Sequence, residues 1–376
     1  MAYIKTTHVG SLPRGDSLAM LLIAKDKGEP VDPAKFDAAV QTEIDAAIEA
    51  QIEAGVSIVS DGELGKVGYS TYMTERLSGF GGNVDRFPAQ DLADLPDLRR
   101  KLSAIMGSQE FVRAACVGEV KLVNLEPALD DIRRFKEAMA RKGSSVKGFM
   151  NAASPGLITA FQTNQYYPSH EAYLADVAEA MRPEYEAIIE AGFDLQLDAP
   201  DLAMSRHTGY QDLTEEQFLE RAAQNVEALN AATANIPPER LRMHVCWGNY
   251  EGPHDHDIPL EKIIDIVLRA RPSQLLFEAA NPRHEHEWIV WRDAAIPDDK
   301  ILVPGVIDSC SNYLEHPELI AQRLERFANI VGIDRVIGGT DCGFGTFAGY
   351  GKVDPIVTWK KLAALREGAD IAAKRI

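Results

Sequence analysis

Apolar residues along this chain keep two rhythms. Short, nearly unbroken apolar runs alternate with longer stretches in which apolar residues return every three or four positions. A continuous run reads as a strand buried on both faces of a parallel sheet, and the slower recurrence as an amphipathic helix. Eight runs begin near residues 4, 56, 146, 193, 241, 274, 301 and 335. Asp32-Pro33 offers an N-cap followed by a proline at the first helical position, after which Phe36, Val40, Ile44, Ala47, Ile48 and Ile52 recur at helical spacing up to Gly55. Further helices are expected over His170–Ala191, Thr214–Ala232, Leu260–Ala270, His284–Asp293, His316–Val331 and Pro355–Ala372, the second opened by the capping-box pattern Thr214-Glu-Glu-Gln217. Alternation of this kind places the chain in the α/β class as a (β/α)8 TIM barrel, with residues 1–376 forming a single domain. A doubly wound open sheet also alternates, but neither Gly-x-Gly-x-x-Gly after the first strand nor a P-loop occurs.

The rhythm breaks between Leu64 and Lys142. That region holds a glycine-rich turn at Gly79, Gly81 and Gly82, a stretch rich in Asp and Leu, an extended pair from Phe111 to Val123, and a helix from about Pro127 to Arg141. We read it as an insertion in an early βα connection, placed to cover the carboxyl end of the barrel, where active sites of this architecture lie.

The strand ends carry the chemistry. In Leu241-Arg-Met-His244-Val-Cys246 the imidazole and thiol are two residues apart, so both point to one side of a strand and can chelate one ion. The run Gln274-Leu-Leu-Phe-Glu278 ends in a carboxylate, and Arg335–Cys342 ends in a thiol. Side by side in a parallel sheet, these strands bring His244, Cys246, Glu278 and Cys342 to one edge, a set suited to Zn2+ with one exchangeable position. Sulfur ligands donate charge and make such an ion a poor hydrolytic centre, yet one that holds a substrate thiol as thiolate. Alkyl transfer to sulfur is the reaction expected, with Glu278 the labile ligand. Ser11, Glu63, Asn151, Asp198, Asp308 and Asp341 fall at the same edge. Among them Glu63, Asp198 and Asp308 are candidates for catalytic roles, and Ser11, Glu63, Asn151 and Asp198 for binding substrate. The loop from Gly248 to Asp257, with His254 and His256, and the pair His284 and His286 read as a lid or helix cap rather than a second metal site.

The formal net charge of −18 excludes non-specific nucleic-acid binding, which depends on Lys and Arg. No run reaches the roughly 18 apolar residues of a membrane helix. Four widely spaced cysteines without a secretory h-region suit a reducing cytoplasm in which thiols are free for metal.

Taken together, Thr6-Thr-His-Val-Gly-Ser-Leu-Pro, Asp61-Gly-Glu63, Leu195-Gln-Leu-Asp198, His244-Val-Cys246, Gly305-Val-Ile-Asp308 and Thr340-Asp-Cys342-Gly resemble the catalytic barrel of cobalamin-independent methionine synthase, over nearly the whole chain. The resemblance is to its single-barrel members, a group that includes epoxyalkane:coenzyme M transferase. It implies His244, Cys246, Glu278 and Cys342 as zinc ligands, Val9 and Ser11 at the homocysteine carboxylate, and Glu63 and Asp198 at its amino group. Its implied partners are a small-molecule thiol and an alkyl donor, methyltetrahydrofolate in the parent reaction; a homo-oligomer is compatible with it. Two departures weigh against folate. Asn151-Ala152 stands where the family has Asn-Trp, and Asp308-Ser309-Cys310 stands where a histidine follows the aspartate. The alternatives are an epoxide:thiol transferase of the coenzyme M type, a non-catalytic zinc-binding relative, and decarboxylation on a related, zinc-free barrel.

Overall fold

The computed structural model describes residues 3–82, 84, 89–105, 114–142 and 146–376. Eight parallel strands make the central sheet: β1 (Lys5–Thr6), β2 (Ile58–Ser60), β3 (Lys147–Ala153), β4 (Asp194–Asp198), β5 (Leu241–His244), β6 (Gln274–Glu278), β7 (Ile301–Ile307) and β8 (Ile337–Thr340). Each pairs with the next in sequence from β2 to β8, and β8 returns to β1. Between β1 and β2 the Ser57 amide donates to the Thr6 carbonyl at 2.9 Å, which brings the ring to closure. This is the α/β barrel that the alternating pattern predicts.

The interior is small and mixed. Val9, Ile58, Phe149, Leu276, Val303 and Ile337 fill it as one apolar cluster, while the larger core lies between the strands and the surrounding helices. Register sets the site. Asp198 pairs with His244 across β4 and β5, and Glu278 with Gly305 across β6 and β7.

Helix starts follow the local chemistry. The Asp32 carboxylate accepts from the Ala34 amide at 2.9 Å and opens the helix Pro33–Glu53. Thr214 and Gln217 exchange side-chain and backbone hydrogen bonds at 3.2 and 3.0 Å, the reciprocal capping box, before the helix Glu215–Ala232. The expected helix from His284 to Asp293 is instead a 3-10 turn, Glu285–Glu287, followed by a short helix, Trp288–Asp293. Two helices in the barrel's own connections escaped the periodicity reading. Asp16–Asp26 carries apolar residues around much of its circumference, and Pro155–Phe161 is too short and too uniformly apolar to show a face.

Between β2 and β3 the chain forms an antiparallel pair, Phe80–Gly81 with Ala115–Cys116, and the helices Pro96–Ile105 and Glu126–Arg141. The expected extended pair begins at Phe111, and residues 111–113 lie outside the described residues. Asp91 from this segment accepts from the Tyr250 hydroxyl at 2.7 Å and the His254 amide at 3.0 Å, which ties the segment to the loop after β5.

The capping box yields a direct test. Thr214→Ala should lower stability by about 1 kcal/mol, read as a lower urea midpoint at unchanged slope. An unchanged midpoint would contradict the reciprocal bond.

Candidate metal centre and adjoining pocket

Past the end of β5 the Val245 amide still donates to the Leu276 carbonyl at 2.9 Å, so the chain stays extended and Cys246 points the same way as His244. From β8, Thr340 leads through Asp341 to Cys342. The Sγ atoms of Cys246 and Cys342 lie 3.7 Å apart. With a ring nitrogen of His244 they form a buried group whose donor atoms are all within 4.8 Å of one another. The two thiols are shifted in opposite directions. The hydrogen bond from Cys246 pulls the Cys342 thiol down despite burial, and the same bond, with burial, pushes Cys246 well up. Burial works against protonation of His244, but contacts with Asp198, Cys342 and the Asp341 carbonyl outweigh it and hold the imidazole at about 9. Two thiols and an imidazole converging without another cation among them fit a thiophilic divalent ion.

Glu278 stands beside this group, not within it. Its Oε1 accepts from the Trp247 amide at 2.8 Å and its Oε2 from the Asn281 side chain at 2.6 Å, while its charge raises both thiols. Asp341 organises the same edge: Oδ1 accepts from the amides of Ala279 and Ala280 at 2.8 and 2.9 Å, and Oδ2 from the Asn281 amide at 2.8 Å.

Buried acids flank this group on the Asp198 side. Glu63 is held at φ 55°, a costly conformation for a residue with a Cβ, by Arg14 donating to its carbonyl at 2.7 Å and by its own amide donating to Asp61 at 3.1 Å. Burial pushes its carboxyl up to about 7, Lys66 and Arg14 pulling down, Asp198 and Asp61 pushing up. Asp198 accepts from the Asn151 amide at 3.1 Å and faces His244 Nδ1 at 3.4 Å. Asn151 Oδ1 is buried with no partner, an acceptor left open. Ser11 is buried and packs its Oγ against Gly343, where a Cβ would collide. Val9 spends its backbone groups internally, its carbonyl accepting from Asn151 at 2.9 Å and its amide donating to Thr340 at 3.2 Å. Asp308 lies at the end of β7, with one oxygen accepting from the Cys310 amide at 2.9 Å and the other from the Ser311 hydroxyl.

Several residues here carry no motif. Lys66 is buried and donates to the Asn151 carbonyl at 2.6 Å. Asn249 joins the loops after β5, β7 and β8 through Gly343, Thr346, Ser309 and Cys310. The Cys310 thiol donates to Asn249 at 3.2 Å and lies 3.7 Å from Lys352 Nζ. His254 and His284, joined by His207, converge on Asp257 at 3.0, 2.9 and 3.2 Å, so these imidazoles close on an acid of their own loop system. A cavity of about 470 Å³ opens elsewhere, on the barrel's flank. Its cations Lys25, Arg76 and Arg134 already pair with Glu75, Asp131 and Asp37, and its fourth, Lys66, reaches inward to the Asn151 carbonyl.

The fold and site thus define a parallel α/β barrel with a buried His/Cys group at the carboxyl end of its strands. Residues 4–354 match the family described as cobalamin-independent synthase, catalytic domain, and the chain belongs to that family. The methionine synthase of Thermococcus kodakarensis is 24% identical over 377 aligned positions, covering 99% of this chain and 94% of the relative. That of Pyrococcus furiosus is 25% identical over 344 positions, 90% and 86% of the two chains. Among solved structures, a B12-independent methionine synthase from Shewanella sp. W3-18-1 in complex with selenomethionine superposes with a TM-score of 0.70 at 19% identity, over 100% of this chain and 99% of that one. A putative vitamin-B12 independent methionine synthase from Listeria monocytogenes gives 0.66 at 20% identity, over 99% and 98%. Among the described residues no helix is long and apolar enough to cross a membrane.

Removing one thiol tests the group. Cys342→Ser should lose most bound metal while remaining folded, measured as metal per chain by plasma mass spectrometry beside a thermal melt. Full occupancy in a folded variant removes Cys342 from the ligand set.

Proposed function

We propose that this chain is a zinc-dependent transferase that carries a methyl or other alkyl group onto the sulfur of a small thiol, homocysteine first. The observation that carries the reading is the buried group of His244, Cys246 and Cys342, within 4.8 Å of one another, beside the buried side chains of Glu63, Asp198 and Asn151. In this reading His244, Cys246 and Cys342 would hold the ion, with Glu278 beside them as its labile fourth ligand. A bound zinc supplies Lewis acidity, which lowers the pKa of an incoming thiol so that it reacts as thiolate.

The chain's own groups position the substrate. Glu63 and Asp198 are acceptors for an ammonium group, the open Oδ1 of Asn151 offers a third, and the Ser11 hydroxyl receives the carboxylate. Burial of these groups excludes water, which strengthens each of these contacts. Asp308 acts by shaping the loop that carries Cys310. Residues 1–376 work as one barrel unit in this proposal, with 64–142 an insertion beside the site. Retained acids next to the metal group favour an enzyme over a zinc-storing relative, because storage requires no ammonium site.

A second reading rests on Ala152 and Cys310. Ala152 gives no aromatic surface for a pterin, and Cys310 bonds to Asn249 where an imidazole would supply a proton. These positions favour a non-folate electrophile, such as an epoxide, as alkyl donor, with methyltetrahydrofolate the alternative. Turnover of homocysteine with methyltetrahydrofolate or with an epoxide separates the two; no alkyl transfer to any thiol overturns both.

The ammonium site has a pH signature. Only ionised Glu63 attracts an ammonium, and that form dominates above about 7. Homocysteine affinity should therefore rise as pH increases through that value. Glu63→Gln should flatten the rise and raise KM for homocysteine at least about tenfold, roughly 1.4 kcal/mol, while sparing a thiol that lacks an amino group. Equal losses for both thiols would contradict the role. The raised value has a second consequence. The native protein keeps a proton that the unfolded chain releases, so Glu63's contribution to stability falls as pH rises from the ordinary carboxylate range to about 7.

A further inference from the structure

Arg242 lies inside the barrel two residues before His244, fully buried. A guanidinium has five N–H donors and no acceptor. Here Nε donates to Gln196 Oε1 at 3.0 Å, Nη1 and Nη2 to the Thr7 hydroxyl at 3.1 Å each, and Nη2 also to the His8 carbonyl at 3.1 Å. Its plane lies 3.7 Å from the centre of the Phe149 ring. None of these contacts is to a carboxylate. The cation is pinned by neutral oxygens and an aromatic face, directly beneath the layer that holds His244, Asp198 and Asn151.

The direction of these bonds has a consequence one layer higher. Because Arg242 can only donate, the Gln196 carbonyl must face it. The Gln196 amide is then left facing the Val9 carbonyl and Asp198 Oδ1, the latter at 3.3 Å. Flipping Gln196 would set its N–H groups against a guanidinium N–H and its carbonyl against two other acceptors, so the orientation is fixed by three neighbours at once. Asp198 Oδ1, held as acceptor, faces His244 Nδ1 at 3.4 Å. A hydrogen on Nδ1 satisfies that contact. His244 Nε2 lies on the other side of the ring, where its N–H meets the carbonyl of Asp341 at 3.2 Å; that hydrogen, unlike the one on Nδ1, has no carboxylate to hold it.

We propose that Arg242 and Gln196 are positioning residues for the metal centre: together they set the polarity of a hydrogen-bond chain, Arg242 to Gln196 to Asp198 to His244, that keeps a proton on His244 Nδ1 and leaves Nε2 as the nitrogen open to a metal. The inference rests on the metal reading of that group. Ligating histidines whose far nitrogen is held by a carboxylate bind metal more tightly, and losing such a partner typically costs about 10- to 100-fold in affinity. Here the chain reaches past the carboxylate to a residue that cannot reverse its donor role.

Gln196→Glu separates positioning from simple support. The glutamate keeps the size of the side chain and pairs with Arg242 as a salt bridge, so the barrel interior remains filled and bonded. It removes the N–H that faces Asp198 and sets a second acceptor there instead. The measurements are zinc affinity by competition with a chromophoric chelator, and the hydrogen-bonded Nδ1–H resonance of His244 in 15N-histidine-labelled, metal-free protein, assigned by its absence in His244→Gln. Thermal melts of each variant report folding. We expect Gln196→Glu to melt within a few degrees of the parent, to bind zinc about 10- to 100-fold more weakly, and to lose or shift the low-field Nδ1–H signal. Arg242→Met, with Gln196 free to turn, should weaken zinc in the same direction. Unchanged zinc affinity and an unchanged Nδ1–H in folded Gln196→Glu would overturn the proposal. If the parent protein binds no zinc, the metal reading fails by itself, and the Nδ1–H signal still decides whether the chain of bonds orients His244. Should Gln196→Glu not fold, Gln196→Leu with Arg242→Met removes donor and acceptor together and is read by the same two measurements.

Discussion

The carboxylate of Asp341 holds the site in shape. It follows β8, reaches across β7 and takes the amides of Ala279, Ala280 and Asn281 just past the end of β6. Only a glycine in β7 permits this crossing, since a Cβ at Gly305 would collide with the Asp341 backbone and carboxylate. Burial beside Glu278 and Asp308 pushes this carboxyl well up, so each bond is counted at the neutral value of about 0.5–1.5 kcal/mol, and together they fix β6 and β8 relative to one another. Cys342, the next residue, is thereby set 3.7 Å from Cys246, and Asn281 is placed to hold Glu278. One side chain thus positions a thiol of the metal group and the carboxylate beside it.

Charge gives the arrangement its direction. Glu63, Asp198, Glu278 and Asp341 are buried at one end of the barrel with two thiols, and the cations near them include buried Lys66 and Arg242 and half-buried Arg14. Acids so enclosed are costly unless a cation arrives. A dication among the thiols and an ammonium near Glu63 would relieve that cost. The same imbalance makes Arg242 informative: a permanent cation beneath the site both balances the acids above it and orders their hydrogen bonds.

Much of this was legible in the residue pattern. His244-x-Cys246 announced itself because alternate strand residues share a face, and β5 to β8 each ended in a polar residue at the edge where barrel sites lie. Helix starts at Asp32 and Thr214 were readable because capping is local. What escaped depended on three-dimensional proximity without a local signature. Lys66, Asn249, Gln196 and Arg242 sit at unremarkable positions, and their roles follow from partners on other strands and loops, up to 235 residues away. The helices Asp16–Asp26 and Pro155–Phe161 were missed for the opposite reason, since apolar residues spread around a helix erase the period that would reveal it. Strand ends have a limit: Glu278 is at the expected edge, and its bonds to Trp247 and Asn281 give an orientation that no local pattern carries.

The central claim is that a buried metal at His244, Cys246 and Cys342 takes up a substrate thiol. Zinc-edge X-ray absorption on the purified protein, with and without homocysteine, tests it most directly. The account predicts about one zinc per chain, sulfur neighbours at about 2.3 Å, and one further sulfur at that distance, in place of an oxygen, when homocysteine is added. Zinc whose neighbours are the same with and without homocysteine, or a protein that binds no zinc, would contradict it.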